Sequence, residues 1–310
     1  MDELAEQVVD AINDISGEHP GHRVAHAKGS LLRGTFTGAG SGLTTAAHMG
    51  DTSVPVTARF SNGGGDPGIP DYAKEGRGLA VKFYLPDGSK TDVVALSLPC
   101  FFVRTPEDFL DFTRLRKPDP DTGQPDFEKL GEWMAAHPEA GPAIQAALSA
   151  DPPQSYVTVA YNSIHSFRWT APDGTERCVR YRFEPEEGER TLSEEAAREL
   201  GRDYLQEEVL ARPSSAFRMV VSVANDGDDV DDPTVAWPSD REVVEVGRLE
   251  LTGPETEREQ GDDILVFDPT RVTDGIDLSD DRILRFRPRA CAASVTRRSG
   301  APAPARLSAA

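Results

Sequence analysis

The sequence predicts an α+β fold, an antiparallel β-barrel with helices grouped beside it in a single domain. Two observations predict it. Strand-like stretches follow one another through most of the chain, with turn residues between them instead of regular helices, which argues against βαβ units. Helix-like stretches come in separate blocks, at the N-terminus, around 106–149, around 192–213 and at the C-terminus. No internal repeat is visible. The 310 residues would suit one large domain or two ordinary ones and are enough to bury a real core.

Residues 3 to 16 space Leu4, Val8, Val9, Ile12 and Ile15 like one face of a helix, which "GEHPGH" ends. From about 22 to 100 the reading is mostly β. "VPVTARFSN", "GLAVKFYLPDG" and "TDVVALSLPCFFV" are expected strands, and "NGGGDPGIPDY" is a loop. Thr105 reads as an N-cap with Pro106 at the first helical position. Helix follows over 106–149, broken by the proline-rich stretch at 118–125. "SYVTVAYNSIHSFRWTAPDGTERCVRYRFEP" reads as strand, turn and strand, placing His165 inside a strand. "LSEEAARELGRDYLQEEVLARP" reads as one helix, and "SAFRMVVSVAN" and "REVVEVGRLELTG" as strands. Residues 277 to 298 read as a last helix, interrupted or started at Pro288. The tail 299–310 has the composition of a disordered segment.

Lys and Arg number 33 against 53 Asp and Glu, so the net charge is −20. Long-range repulsion then opposes nucleic acid and anionic membranes. No apolar run approaches the ~18 residues of a membrane span. The acidic, amphipathic start lacks the basic and apolar parts of a secretion signal, so a cytoplasmic location is expected. Cys100, Cys178 and Cys291 are odd in number, far apart and without CxxC spacing. A zinc site or disulfide framework is therefore not expected. Cys100 and Cys178 read as small apolar residues in strands. Cys291 differs. It sits in "RFRPRACAAS" beside Arg285, Arg287 and Arg289, where a thiol should lose its proton more readily.

Among the six histidines, His22, His48 and His137 lie near glycine or proline and are expected to be exposed. His26 stands in "RVAHAKG". That segment resembles the distal-histidine segment of haem catalases. "VPVTARFSNGGGDPGIPDYAKEGRGLAVKFYLPDG", "DVVALSLPCFFVRTPEDFLDF" and "YNSIHSFRW" resemble further catalase segments in the same order, as does the C-terminal stretch around 287–298. The chain is much shorter than a full catalase and looks like the small catalase-related haem proteins.

The resemblance implies a catalase-like haem-binding domain over 1–298 that carries haem b (iron protoporphyrin IX). It implies that His26 moves a proton between the peroxide oxygens, work that suits imidazole. Ser61 would hydrogen-bond His26. Arg23 and Arg59 would hold the haem propionates. Phe109, with Phe101 and Phe102, would be pocket aromatics. Ala25 takes the place of a valine above the haem. His165 matches a histidine beside the proximal side.

Two positions depart from the family pattern. Leu96 falls where catalases have the distal asparagine, and it cannot hydrogen-bond peroxide. Ser97 is adjacent but points to the other face of a strand. Cys291 falls where catalases have the proximal tyrosine, four residues after the arginine matched by Arg287, so both lie on one helix face. Cys291 is therefore expected to be an axial thiolate ligand of the iron, an electron-donating ligand that favours O–O cleavage. Pro288 would suit the first turn of that helix. The expected function is a haem-thiolate oxidoreductase that uses hydrogen peroxide to oxidise a small organic molecule, by peroxidase or peroxygenase chemistry. The alternatives are peroxide disproportionation, as in catalases, and a non-catalytic haem sensor or carrier. A homodimer paired through the N-terminal helix is a further expectation.

Overall fold

The computed structural model describes residues 3–255 and 264–299. The strands among the described residues are β1 (Gly29–Gly38), β2 (Ser53–Asn62), β3 (Arg77–Tyr84), β4 (Lys90–Leu96), β5 (Tyr161–Asn162), β6 (Phe167–Thr170), β7 (Glu176–Pro185), β8 (Ser215–Val223), β9 (Val243–Pro254) and β10 (Ile276–Leu278). The α-helices among them are α1 (Glu3–Ser16), α2 (Pro106–Leu115), α3 (Phe127–Ala136), α4 (Gly141–Ser149), α5 (Glu194–Glu199), α6 (Tyr204–Ala211) and α7 (Arg282–Ser299). Every strand pairing is antiparallel. The order β7-β5-β4-β3-β2-β1-β9-β8 closes through β7–β8 pairing, giving an eight-stranded barrel with β6 and β10 as an extension beside β7.

Alternation along the strands divides the barrel wall into two faces. Val56, Ala58 and Phe60 of β2, Leu79, Val81 and Phe83 of β3, and Val93 and Ala95 of β4 join the core inside the barrel. The residues between them face outward. In register they form three rows: Ser61–Gly78–Leu96, Arg59–Ala80–Val94 and Thr57–Lys82–Asp92. The helices build two smaller cores outside. One joins Val8 and Val9 of α1 to Leu110 of α2 and Phe286 and Ala293 of α7. The other joins Phe112, Trp133 and Ile283.

Thr105 caps α2 by accepting from the Asp108 N–H, with Pro106 at the first position. α1 lays its apolar side against α2 and α7 within the chain. Among the described residues, no helix is long and apolar enough to cross a membrane.

Several local expectations are corrected. The single helix over 192–213 is two, α5 and α6, parted at Gly201, whose φ of +104° no helix accepts. β1 forms without having been singled out. His165 does not lie in a strand; it sits in a bend between β5 and β6. Cys100 follows β4 in a loop, whereas Cys178 is in β7. His48 is buried, not exposed, packed against Phe36 and Phe83. The last helix begins at Arg282 behind the strand β10, so Pro288 is an interior residue and not part of the first turn. The expected disordered tail lies outside the described residues, apart from Ser299, which ends α7.

Candidate active site

A cavity opens between the outer face of β2–β4 and the helices α1 and α7. It holds about 920 Å³ of space free of protein atoms, counting its open mouth. The barrel side brings His26, Arg59, Ser61, Ala80, Val94 and Leu96; α7 brings Arg287, Cys291, Ser294 and Arg298. Val8, Val9 and Ile12 of α1, Ala25, and Val266 and Phe267 complete the wall.

His26 is the one non-glycine residue with positive φ (55°) among the described residues. This left-handed conformation is uncommon for a residue with a Cβ, and the neighbours must hold it. The Arg59 guanidinium donates to the carbonyls of His26 (2.8 Å) and Ala27 (3.2 Å), and the backbone N–H of Ala27 donates to Gly64. Two glycines make room for this clamp. A Cβ on Gly29 would come within 2.8 Å of the Arg59 guanidinium. A Cβ on Gly78 would come 2.7 Å from Ser61 Oγ and 3.0 Å from the His26 ring.

His26 Nδ1 lies 3.0 Å from Ser61 Oγ, so Nε2 is the nitrogen left to the cavity. Burial pushes the His26 pKa down to about 3, helped by the cations Arg287, Arg59 and Arg23, so the ring is a neutral base at ordinary pH. Leu96 ends β4 and lines the cavity, while Ser97 Oγ accepts from the Arg77 N–H instead.

On the other side, Arg287 is half-buried and its Nη1 lies 3.3 Å from His165 Nε2. His165 Nδ1 in turn lies 2.6 Å from Asp281 Oδ2. An arginine can only donate, so His165 is the tautomer with its proton on Nδ1, given to Asp281. Asp281 Oδ1 accepts from the N–H groups of Ile283 and Leu284 and thereby starts α7. His165 therefore reaches the cavity only through Arg287. Asp281 went unnoticed in the sequence, although an aspartate just before a helical stretch is an N-cap signal.

Cys291 lines the cavity one turn beyond Arg287. Its basic neighbours do not decide its acidity. Burial pushes the thiol pKa up, and Arg287 opposes this only in part. Phe109 departs from expectation. It stacks on Phe101 and packs with Phe102 at α2, in the helical layer instead of the cavity wall. Phe101 and Phe102 lie there too, because Val103 and the α2 helix draw them into the second helical core.

The donor set fits a haem. Arg23 Nη2 (2.8 Å) and Arg298 Nη2 (3.2 Å) both donate to the carbonyl of Leu265, which places two guanidinium groups side by side at the cavity, and forked cations of this kind can hold carboxylates such as propionates. No aspartate or glutamate is among the described residues that line the cavity. The absent Cβ at Gly78 and the small Ala80 leave the barrel wall shallow beside His26. A single sulfur donor, Cys291, suits an iron whose other ligands come from a porphyrin.

Comparison with known proteins gives the family and the fold. A family model described as Catalase matches residues 5–303. A catalase-related peroxidase of Mycolicibacterium paratuberculosis is 43% identical over 301 residues, covering 95% of each chain. A catalase-related peroxidase of Synechococcus elongatus is 33% identical over 299 residues, covering 95% of this chain and 88% of that one. A solved fungal catalase superposes with a TM-score of 0.80 at 23% identity, over 91% of this chain and 60% of its own.

Proposed function

The chain belongs to the catalase family and is a haem-dependent oxidoreductase, and within that class we propose that it is a peroxidase in which Cys291 would hold the haem iron as a thiolate. The reading rests on one observation. His26 lines the same cavity as the Arg287–Cys291 turn of α7, one from the barrel side and the other from the helical side.

Arg23 and Arg298 would hold the haem b propionates from the side of Leu265, with Arg59 at the edge of the barrel. Bound there, a haem would supply the redox-active iron that peroxidase chemistry needs. Iron coordination and Arg287 would both favour the ionised sulfur over the buried thiol. His165 and Asp281 fix the Arg287 guanidinium against that turn of helix. His26, neutral and with Nε2 facing the cavity, would take up a proton of hydrogen peroxide at Nε2 and give it back to the departing oxygen, which leaves as water. Ser61 holds the ring in the required plane.

Ala25, Ala80, Val94 and Leu96 give the organic substrate an apolar bed beside His26. All four arginines of the cavity face the propionates, the sulfur or the backbone of His26 in this reading. A charged substrate would then find no counter-ion and would lose its hydration without recompense. An uncharged apolar molecule is therefore the proposed class.

The test is the absorption spectrum of the purified protein, ferric and then reduced under carbon monoxide. A strongly red-shifted Soret band that disappears in Cys291→Ala supports the thiolate. A haem spectrum without that shift, or one unchanged in Cys291→Ala, rejects it.

A further inference from the structure

The three outward rows of β2–β4 differ in what they do. Ser61–Gly78–Leu96 and Arg59–Ala80–Val94 line the cavity. The third row, Thr57–Lys82–Asp92, does not touch it, yet it carries a buried ion pair. Lys82 and Asp92 are cross-strand partners, each 2% exposed, and Lys82 Nζ bonds Asp92 Oδ1 directly.

A buried pair of this kind gains little stability over apolar side chains of the same size. What distinguishes it is what it holds. Asp92 Oδ2 accepts from the backbone N–H of Asp268 (2.9 Å) and from Arg271 Nη1 (2.5 Å). The Asp92 N–H (3.0 Å) and the Thr91 hydroxyl (2.9 Å) donate to the Arg271 carbonyl. Lys82 Nζ also stands over the Phe267 ring, 5.4 Å from its centroid. Both ends of the segment 267–271 are thus tied to this one row, and Phe267 at its start is part of the cavity wall.

We propose that Lys82 and Asp92 are positioning residues of the haem site: they set the Phe267 wall at a fixed distance from the Ala80–Val94–Leu96 wall, and so the width of the slot that receives the ring. The inference rests on the haem reading above. The strand pair that builds part of the wall with its first two rows holds Phe267, another part of the wall, with its third. The pair then acts on the cofactor through Phe267, without touching it.

Three variants of the full chain, loaded with haem, test this. Asp92→Asn keeps the shape and loses the charge; Arg271→Gln removes a half-exposed anchor and is the safer folder; Phe267→Leu alters the wall itself. The readouts are the rate of haem transfer to a haem-free globin and the Fe–CO stretching frequency of the reduced complex. Asp92→Asn should release haem roughly 10- to 100-fold faster, as outer-shell substitutions commonly do. Phe267→Leu should move the Fe–CO frequency in the same direction as Asp92→Asn, and Arg271→Gln should move both readouts less. A purely structural role predicts a lower melting temperature with release rate and Fe–CO frequency at wild-type values. That result, in Asp92→Asn or in Arg271→Gln if only the latter folds, overturns the inference. So does a Phe267→Leu variant that leaves both readouts unmoved. A wild-type chain that takes up no haem overturns instead the reading on which the inference stands.

Discussion

The Arg59 guanidinium donates to the carbonyl of His26 at 2.8 Å, across the one non-glycine residue of positive φ among those described. Sequence motifs name both residues but say nothing of this contact. It ties the barrel wall at β2 to the geometry of the base. Removing it lets the His26 backbone relax toward the common regions of φ/ψ space.

Arg59→Met should therefore slow the reaction of the haem-loaded protein with peroxide by about 10- to 100-fold, the factor expected if 1–3 kcal/mol of positioning is lost. Stopped-flow spectroscopy measures that rate at increasing peroxide concentrations. An unchanged second-order rate constant would mean that the loop of glycines 63–65 is enough to hold His26.

Leu96 ends β4 and lines the cavity, at the position where the resemblance places the distal asparagine of catalases. Leu96→Asn places a hydrogen-bond donor on the row that carries Ser61 and Gly78. Oxygen release from peroxide should rise about tenfold or more, since one such donor commonly contributes that much. An oxygen electrode and a parallel peroxidase assay should show the gain in one with a loss in the other. Equal changes in both would deny Leu96 a part in choosing between them.

Asp281 joins the cap of α7 to the His165–Arg287 chain. Asp281→Ala leaves the helix N–H groups uncapped and the His165 N–H without a buried acceptor. The expected cost is about 2–4 kcal/mol. Asp281→Asn retains a capping oxygen and should cost less. Urea denaturation at constant pH gives both values, and equal losses would place the whole effect in the charge.

Histidine burial makes folding sensitive to acid. His48 is enclosed in the barrel core, its Nδ1 has no partner, and burial lowers its pKa to about 4. Above its ordinary value of 6.5 the ring is neutral whether the chain is folded or not. As pH falls from 6.5 toward 4, the unfolded chain takes up the proton first and the folded state loses stability. The loss approaches about 3 kcal/mol at the acid end. His26 adds a further and larger loss that extends to about pH 3. His48→Leu should flatten the difference in folding free energy between pH 7 and pH 4. Parallel curves for the two proteins would show that His48 does not carry it.

The barrel was legible because alternation and turn residues are local. Val81 and Val93 read as strand whatever faces them. The breaks were not legible in the same way. Gly201 splits a helix that its flanking residues support, and Pro288 sits inside α7 because packing of Phe286 and Ala293 against α1 and α2 outweighs its missing N–H. His26, Ser61 and Arg59 were found by resemblance, and the structure brings them together. Phe109 was misplaced because a motif gives order along the chain and not the direction of a ring. The acidity of Cys291 was misread because sequence counts neighbouring arginines but not the water that burial removes. The row Thr57–Lys82–Asp92 was invisible, since its members become neighbours only in register.

The cavity lies in a seam. The barrel packs its own core, α1, α2 and α7 pack another, and His26 and Cys291 stand on opposite banks. A cofactor seated in that seam would touch both layers at once, so its binding should tie the helices to the barrel. Limited proteolysis of the protein with and without haem should then show protection gained in α1 and α7 and little change in the barrel.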